Sequence, residues 1–128
     1  MIDEAQIAEA LRERYPNINL IYLFGSYAAG NANQESDIDL ALVGLTAAES
    51  ARLPLAAMNM GAMFNQDVDL IDLPRSDAVI GYEVIAKGRC LYISPGFDKA
   101  EFEVRRIREF LELEERLSPI YEDMRRVG

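Results

Sequence analysis

The 128-residue chain contains no histidine, no tryptophan and a single cysteine, Cys90. Without histidine, both the usual neutral-pH general base and the commonest zinc ligand are missing. One cysteine cannot close an internal disulfide, so a reducing, cytoplasmic setting is expected. Lysine is nearly absent too: Lys87 and Lys99 are the two examples, and the net charge is −9. Such a surface repels phosphate backbones, which argues against direct nucleic-acid binding. No apolar run is long enough for a membrane span. The opening stretch MIDEAQIAEALRERY is an acidic amphipathic pattern, unlike the basic and apolar segments of a signal peptide. Chemistry is left to carboxylates, hydroxyls, arginines and a hard metal.

What is present suits one folded core: half of the residues are hydrophobic, and the length matches a single domain. Ile7, Leu11 and Tyr15 recur every four residues, predicting a helix over 3–15 that Pro16 ends. Residues 20–24 (LIYLF) form a continuous apolar run of strand length, as expected of a strand covered on both faces. A small polar loop follows, then a second strand over 37–43 (DIDLALV). Thr46 and Glu49 match a capping box, Pro54 opens a helix to Phe64, and 67–73 (DVDLIDL) reads as a third strand. Ser76 is the expected cap of a helix through Lys87, and 89–93 (RCLYI) a fourth strand. From 97 to 126 an apolar stripe of Phe110, Leu113, Leu117, Tyr121 and Met124 predicts a terminal helix, kinked or divided at Pro119. The expected fold is α/β (α+β), a small mixed sheet with helices packed on it. Residues 1–96 form its body, and 97–128 are a helical extension packed on that body or on a partner.

The stretch FGSYAAGNANQESDIDL (24–40) sets two aspartates where a strand normally carries its core. Asp37 and Asp39 lie two apart, so their carboxylates share one face, opposite Ile38 and Leu40. Two carboxylates held together repel, and a hard divalent cation such as Mg²⁺ resolves the conflict. Asp69 on the third strand completes a set of three if that strand lies beside the second. Three carboxylates can hold two metal ions for in-line displacement at phosphorus, with Asp69 on the acceptor side. Gly25 lets the backbone approach a ligand closely, and the Ser26 hydroxyl and nearby amides can cradle phosphate. Ser36 shapes the turn before the aspartates. Singly, Gly-Ser after a strand is a turn and Asp-x-Asp a solvated strand start. Their joint spacing carries the chemistry.

That spacing, Gly-Ser-x10-Asp-x-Asp, resembles the motif of minimal nucleotidyltransferases (MNT) of the DNA polymerase β superfamily. VDLIDL (68–73) and AVIGYEVIAKGRCLYIS (78–94) are similar to the family's usual sequel, so the resemblance covers roughly residues 5–95. It implies the polymerase β-like nucleotidyltransferase fold and Mg²⁺-dependent transfer of a nucleoside monophosphate from ATP to a hydroxyl. By position, Gly25, Ser26 and Ser36 would serve the nucleotide, and Asp37, Asp39 and Asp69 would be catalytic and hold two Mg²⁺ ions. Stand-alone MNT proteins of this length resemble antitoxins that add AMP to a tyrosine of a HEPN-domain ribonuclease toxin. A hetero-oligomer with such a toxin is therefore the implied assembly. Many relatives carry arginine before the loop glycine, where this chain has Ala29. Arg75 and Lys87 are the candidates to replace that cation.

Two other functions fit less well. A small-molecule nucleotidyltransferase of the aminoglycoside type usually carries a further helical domain, for which 128 residues leave little room. A stoichiometric, non-catalytic antitoxin would not need three clustered carboxylates, which destabilise an unliganded fold. Dehalogenase-type phosphatases follow Asp-x-Asp with threonine or valine, whereas Leu40-Ala41 stand here. A calcium loop needs more alternating oxygen ligands and a central glycine.

Overall fold

The computed structural model describes residues 2–33 and 35–127. Four strands form one sheet in the order β3-β2-β1-β4. Strand β1 (Leu20–Phe24) is central and antiparallel to both β2 (Ile38–Val43) and β4 (Arg89–Ile93). Strand β3 (Val68–Asp72) runs parallel to β2 at the edge, with Asp39 opposite Asp69 in register. The sheet is therefore mixed, as its sequence pattern predicts.

Alternation along β1 and β2 divides the core between the two faces. Ile21, Leu23, Ile38, Leu40 and Leu42 bury against α1 (Glu4–Arg14) and α4 (Leu53–Phe64). Leu20, Tyr22, Ala41 and Val43 face the other way, with Val84 of α5 (Ala78–Lys87) and Phe102 of α6 (Lys99–Val127). Apolar cover on both sides explains why LIYLF carries no polar alternation. In α1, Ile7 and Leu11 are buried and Asp3 caps the helix by accepting from the amides of Ala5 and Gln6.

Several details depart from the sequence reading. The loop after Gly25 contains a short helix, α2 (Ser26–Ala29), closed by left-handed Gly30. The capping box at Thr46 and Glu49 starts a separate helix, α3 (Ala47–Ala51), before α4. Asp77 rather than Ser76 caps α5: its carboxylate accepts from Ile80 N at 2.9 Å, while the Ser76 hydroxyl donates back to the Leu73 carbonyl. Helix α6 runs unbroken through Pro119. Both Pro119 and Glu115, four residues earlier, are exposed, so water can satisfy the carbonyl that the ring leaves without an amide partner.

The first half of α6 is tied to the sheet layer. The hydroxyl of Tyr22 donates to Glu103 at 2.7 Å, Arg106 donates to the carbonyls of Leu73 and Ser76, and Phe110 stacks on Tyr82 of α5. Beyond it, Ile120, Tyr121 and Met124 are exposed.

Candidate active site

The site lies where β1 ends and β2 and β3 begin. Gly25 leaves β1 with φ 73° and ψ −148°, a conformation reserved almost entirely for glycine, and turns the chain into α2. A Cβ placed there would stand 2.2 Å from Oδ2 of Asp39. The glycine is therefore needed twice, for the backbone angle and for the carboxylate beside it.

Asp39 sits in β2 opposite Phe24 on one side and Asp69 on the other. Ile38 N donates to the Asp67 carbonyl at 2.8 Å, which fixes the starts of β2 and β3 side by side. Asp37 and Asp69 are exposed, whereas Asp39 is partly buried. Burial raises the Asp39 pKa from 3.8 to about 6, with further contributions from Asp69 and then Asp37. Both neighbours thus act electrostatically on Asp39. Among the described residues no three acidic or cysteine groups are gathered closely enough to hold an ion as they stand. The donor set is all hard oxygen, on two strand starts fixed in register, and its repulsion is of the kind a hard divalent cation relieves. It fits Mg²⁺ in chemistry.

Two cavities adjoin this edge. One, of about 610 Å³, is lined by Gly25, Ser26, Ala29, Asn31, Glu83 and Lys87. It places a lysine in the same cavity as Ala29. Lys87 Nζ pairs with Glu83 at 3.0 Å and stays largely exposed. Arg75 lies elsewhere, bonded to Asp72 and the Leu45 carbonyl beyond the far end of β3. Of the two candidate cations, Lys87 is the one at the site. The second cavity, about 960 Å³, is lined by Asp37, Ser36, Glu35, Asp67 and one side of α4. Ser36 is thus on the opposite cavity from Gly25 and Ser26, and its hydroxyl accepts from Asn33 N at 2.9 Å, holding the turn before Asp37.

Sequence reasoning overlooked Gln66 and Tyr27. The Gln66 amide contacts the Tyr27 hydroxyl and reaches the Ser36 carbonyl at 3.4 Å, linking the start of β3 to α2. No sequence pattern marks that pair, because the two residues are brought together by the crossover through α4.

Comparison with known proteins bears on this geometry. Residues 5–95 match the family described as Polymerase beta, Nucleotidyltransferase. This chain belongs to the polymerase β nucleotidyltransferase family. The protein adenylyltransferase MntA of Shewanella oneidensis is 30% identical over 96% of this chain and 88% of its own length. A crystal structure of a toxin–antitoxin complex with AMP-PNP superposes with a TM-score of 0.86 at 30% identity, covering 96% of this chain and 98% of that one. A structure of tri-AMPylated Shewanella oneidensis HEPN toxin in complex with MNT antitoxin aligns at 29% identity and a TM-score of 0.78, over 94% of each chain. The nucleotidyltransferase fold is therefore the fold of this family member, with the mixed sheet and helices described above.

Proposed function

We propose that this protein is a Mg²⁺- and ATP-dependent protein adenylyltransferase, transferring AMP to a tyrosine hydroxyl and serving as the antitoxin of a HEPN ribonuclease toxin. The observation that carries this reading is the seating of Asp39 against Gly25 and beside Asp69, in a fold shared with adenylyltransferase antitoxins. In that reaction the tyrosine oxygen bonds to the α-phosphorus of ATP as the bond to the β-phosphate oxygen breaks. Pyrophosphate leaves, and the hydroxyl proton passes to a carboxylate of this edge.

Asp37, Asp39 and Asp69 would hold the Mg²⁺, which supplies charge neutralisation at the phosphates and favours the deprotonated acceptor. Asp39, crowded by two like charges and partly buried, is the carboxylate most relieved by a cation. Gly25 and Ser26 offer a strand end without a Cβ and the start of a short helix, suited to close approach of phosphate oxygens. Lys87 contributes a positive charge to the same cavity, in the role that arginine at position 29 would fill. Asp69 stands on the acceptor side.

Lys87→Ala is expected to raise KM for ATP by roughly tenfold, the order of one charge-assisted phosphate contact, with kcat changing far less. Steady-state kinetics at fixed acceptor concentration check it, and an unchanged KM would remove Lys87 from the nucleotide site. The function as a whole is tested by intact-protein mass spectrometry. The polypeptide encoded by the neighbouring gene is incubated with Mg²⁺, ATP and this protein or its Asp37→Asn/Asp39→Asn variant. Gain of AMP masses with the wild type and none with the variant is the expected outcome. No gain with the wild type would overturn it.

A further inference from the structure

Helix α4 is apolar on both sides. Leu53, Ala56 and Met60 enter the core, yet Leu55, Met58 and Met63 stand outward with 56%, 72% and 66% of their surfaces exposed. An amphipathic helix on a sheet should turn a polar face to water, so the outer face of α4 is not accounted for by the protein's own core. Leu55, Met58 and Ala62 recur at steps of three and four, forming one outward row. Met58 and Ala62 also wall the 960 Å³ cavity whose other side carries Glu35, Asp37 and Asp67. Among the described residues none of these three carboxylates is paired with a lysine or arginine.

We infer that the outer face of α4 and this cavity form the docking surface for the acceptor polypeptide, taking a segment with an apolar anchor and basic side chains next to the tyrosine. The inference rests on the adenylyltransferase reading and deepens it. Three observations select this occupant. The cavity includes Asp37, so it is continuous with the reacting edge. Glycine, serine and lysine line the other cavity, which leaves this one free of the nucleotide. The unpaired carboxylates facing the apolar wall complement a basic, apolar segment and repel an acidic one. Methionines suit such a wall, since their unbranched side chains adapt to a partner's contours.

The test is AMP transfer to the polypeptide encoded by the neighbouring gene, varied at saturating Mg²⁺ and ATP, with AMP-PNP affinity measured separately by calorimetry. Met58→Glu is expected to raise KM for the polypeptide at least tenfold while AMP-PNP affinity stays within twofold. Asp67→Lys is expected to raise the same KM, less so at high salt. Because Met58 is exposed, its variant should fold, and an unchanged melting curve verifies that. A polypeptide KM unchanged in both Met58→Glu and Leu55→Glu overturns the inference and leaves the adenylyltransferase reading intact. A shift from dimer to monomer in Met58→Glu, with KM unchanged, overturns it in favour of a second copy on this face. A raised KM in Ile120→Glu alone moves docking to the free end of α6 and also overturns it. If the wild type transfers no AMP at all, the adenylyltransferase reading falls first and this surface with it.

Discussion

Asp39→Asn is expected to lower AMP transfer by a factor of about a thousand or more, the order seen when a charge-stabilising group is removed from a reacting centre. The same variant should melt higher than the wild type at pH 8. Both effects come from one feature, a partly buried carboxylate crowded by Asp69 and Asp37. The pKa of Asp39 is raised from 3.8 to about 6 in the folded chain, so the fold disfavours its charged form. Between these values the folded chain binds more protons than the unfolded one. Stability therefore falls as pH rises through that window, and the loss is complete above about pH 6. The shift sets a ceiling of about 3 kcal/mol, at about 1.4 kcal/mol per pH unit. Water around a half-exposed group reduces this to about 1–2 kcal/mol. For a domain of this size that corresponds to a rise of about 3–8 °C in Tm at pH 8. Near pH 4 the two proteins should melt together. Added Mg²⁺ should raise the wild-type Tm at pH 8 and have little effect on the variant, since binding to the native state alone stabilises it. A variant that melts lower than the wild type at pH 8 would show that the Asp39 charge supports the fold.

Gly25→Ala carries the second large effect. From sequence, this change is expected to harm nucleotide binding more than stability. The structure adds a large cost to the fold itself. A backbone at φ 73° and ψ −148° costs an alanine about 1–3 kcal/mol, and its Cβ would meet the Asp39 carboxylate at 2.2 Å. The expected destabilisation is about 3–4 kcal/mol, enough to lower Tm by roughly 10 °C or more. Truncating the neighbour separates the two causes. In Gly25→Ala/Asp39→Ala the collision with the carboxylate is relieved but the backbone angle is not. About 1–2 kcal/mol of coupling should then appear in a double-mutant cycle of urea unfolding midpoints. Strict additivity would show that the backbone angle carries the whole cost.

The legibility of this chain follows the range of its interactions. Strand β1, helix α1 and the two Asp-x-Asp segments are readable because each is a local pattern: an unbroken apolar run, a period near four and a period of two. The fold class followed from their order. The pairing of Asp39 with Asp69 was readable only as a condition, since it depends on β3 choosing β2 as its neighbour. Short-range competition decided the cap of α5: Ser76 and Asp77 are both good caps, and the Ser76 hydroxyl is taken by the Leu73 carbonyl. Pro119 does not divide α6, because the cost of proline in a helix depends on whether the abandoned carbonyl can reach water. The site's cation was named as one of two possibilities, and only tertiary placement put Lys87 beside Ala29 and Arg75 at the far end of the sheet. The exposed row on α4 left no mark in the sequence, where its residues are indistinguishable from core.

The Tyr22–Glu103 hydrogen bond reaches from the middle of the central strand to a helix that begins after the matched family region, residues 5–95, has ended. Tyr22 is almost fully buried, and burial with the Glu103 carboxylate pushes its phenol pKa far up. Take the helix away and that hydroxyl lies bare in the sheet layer, as do the carbonyls that Arg106 satisfies. The family's core motif unit and the packed architecture therefore end at different places in this chain. The matched family region stops at residue 95, whereas what packs together extends at least to Phe110, where the stacked ring of Tyr82 closes the layer, and the adenylyltransferase relative accordingly aligns over 96% of the chain.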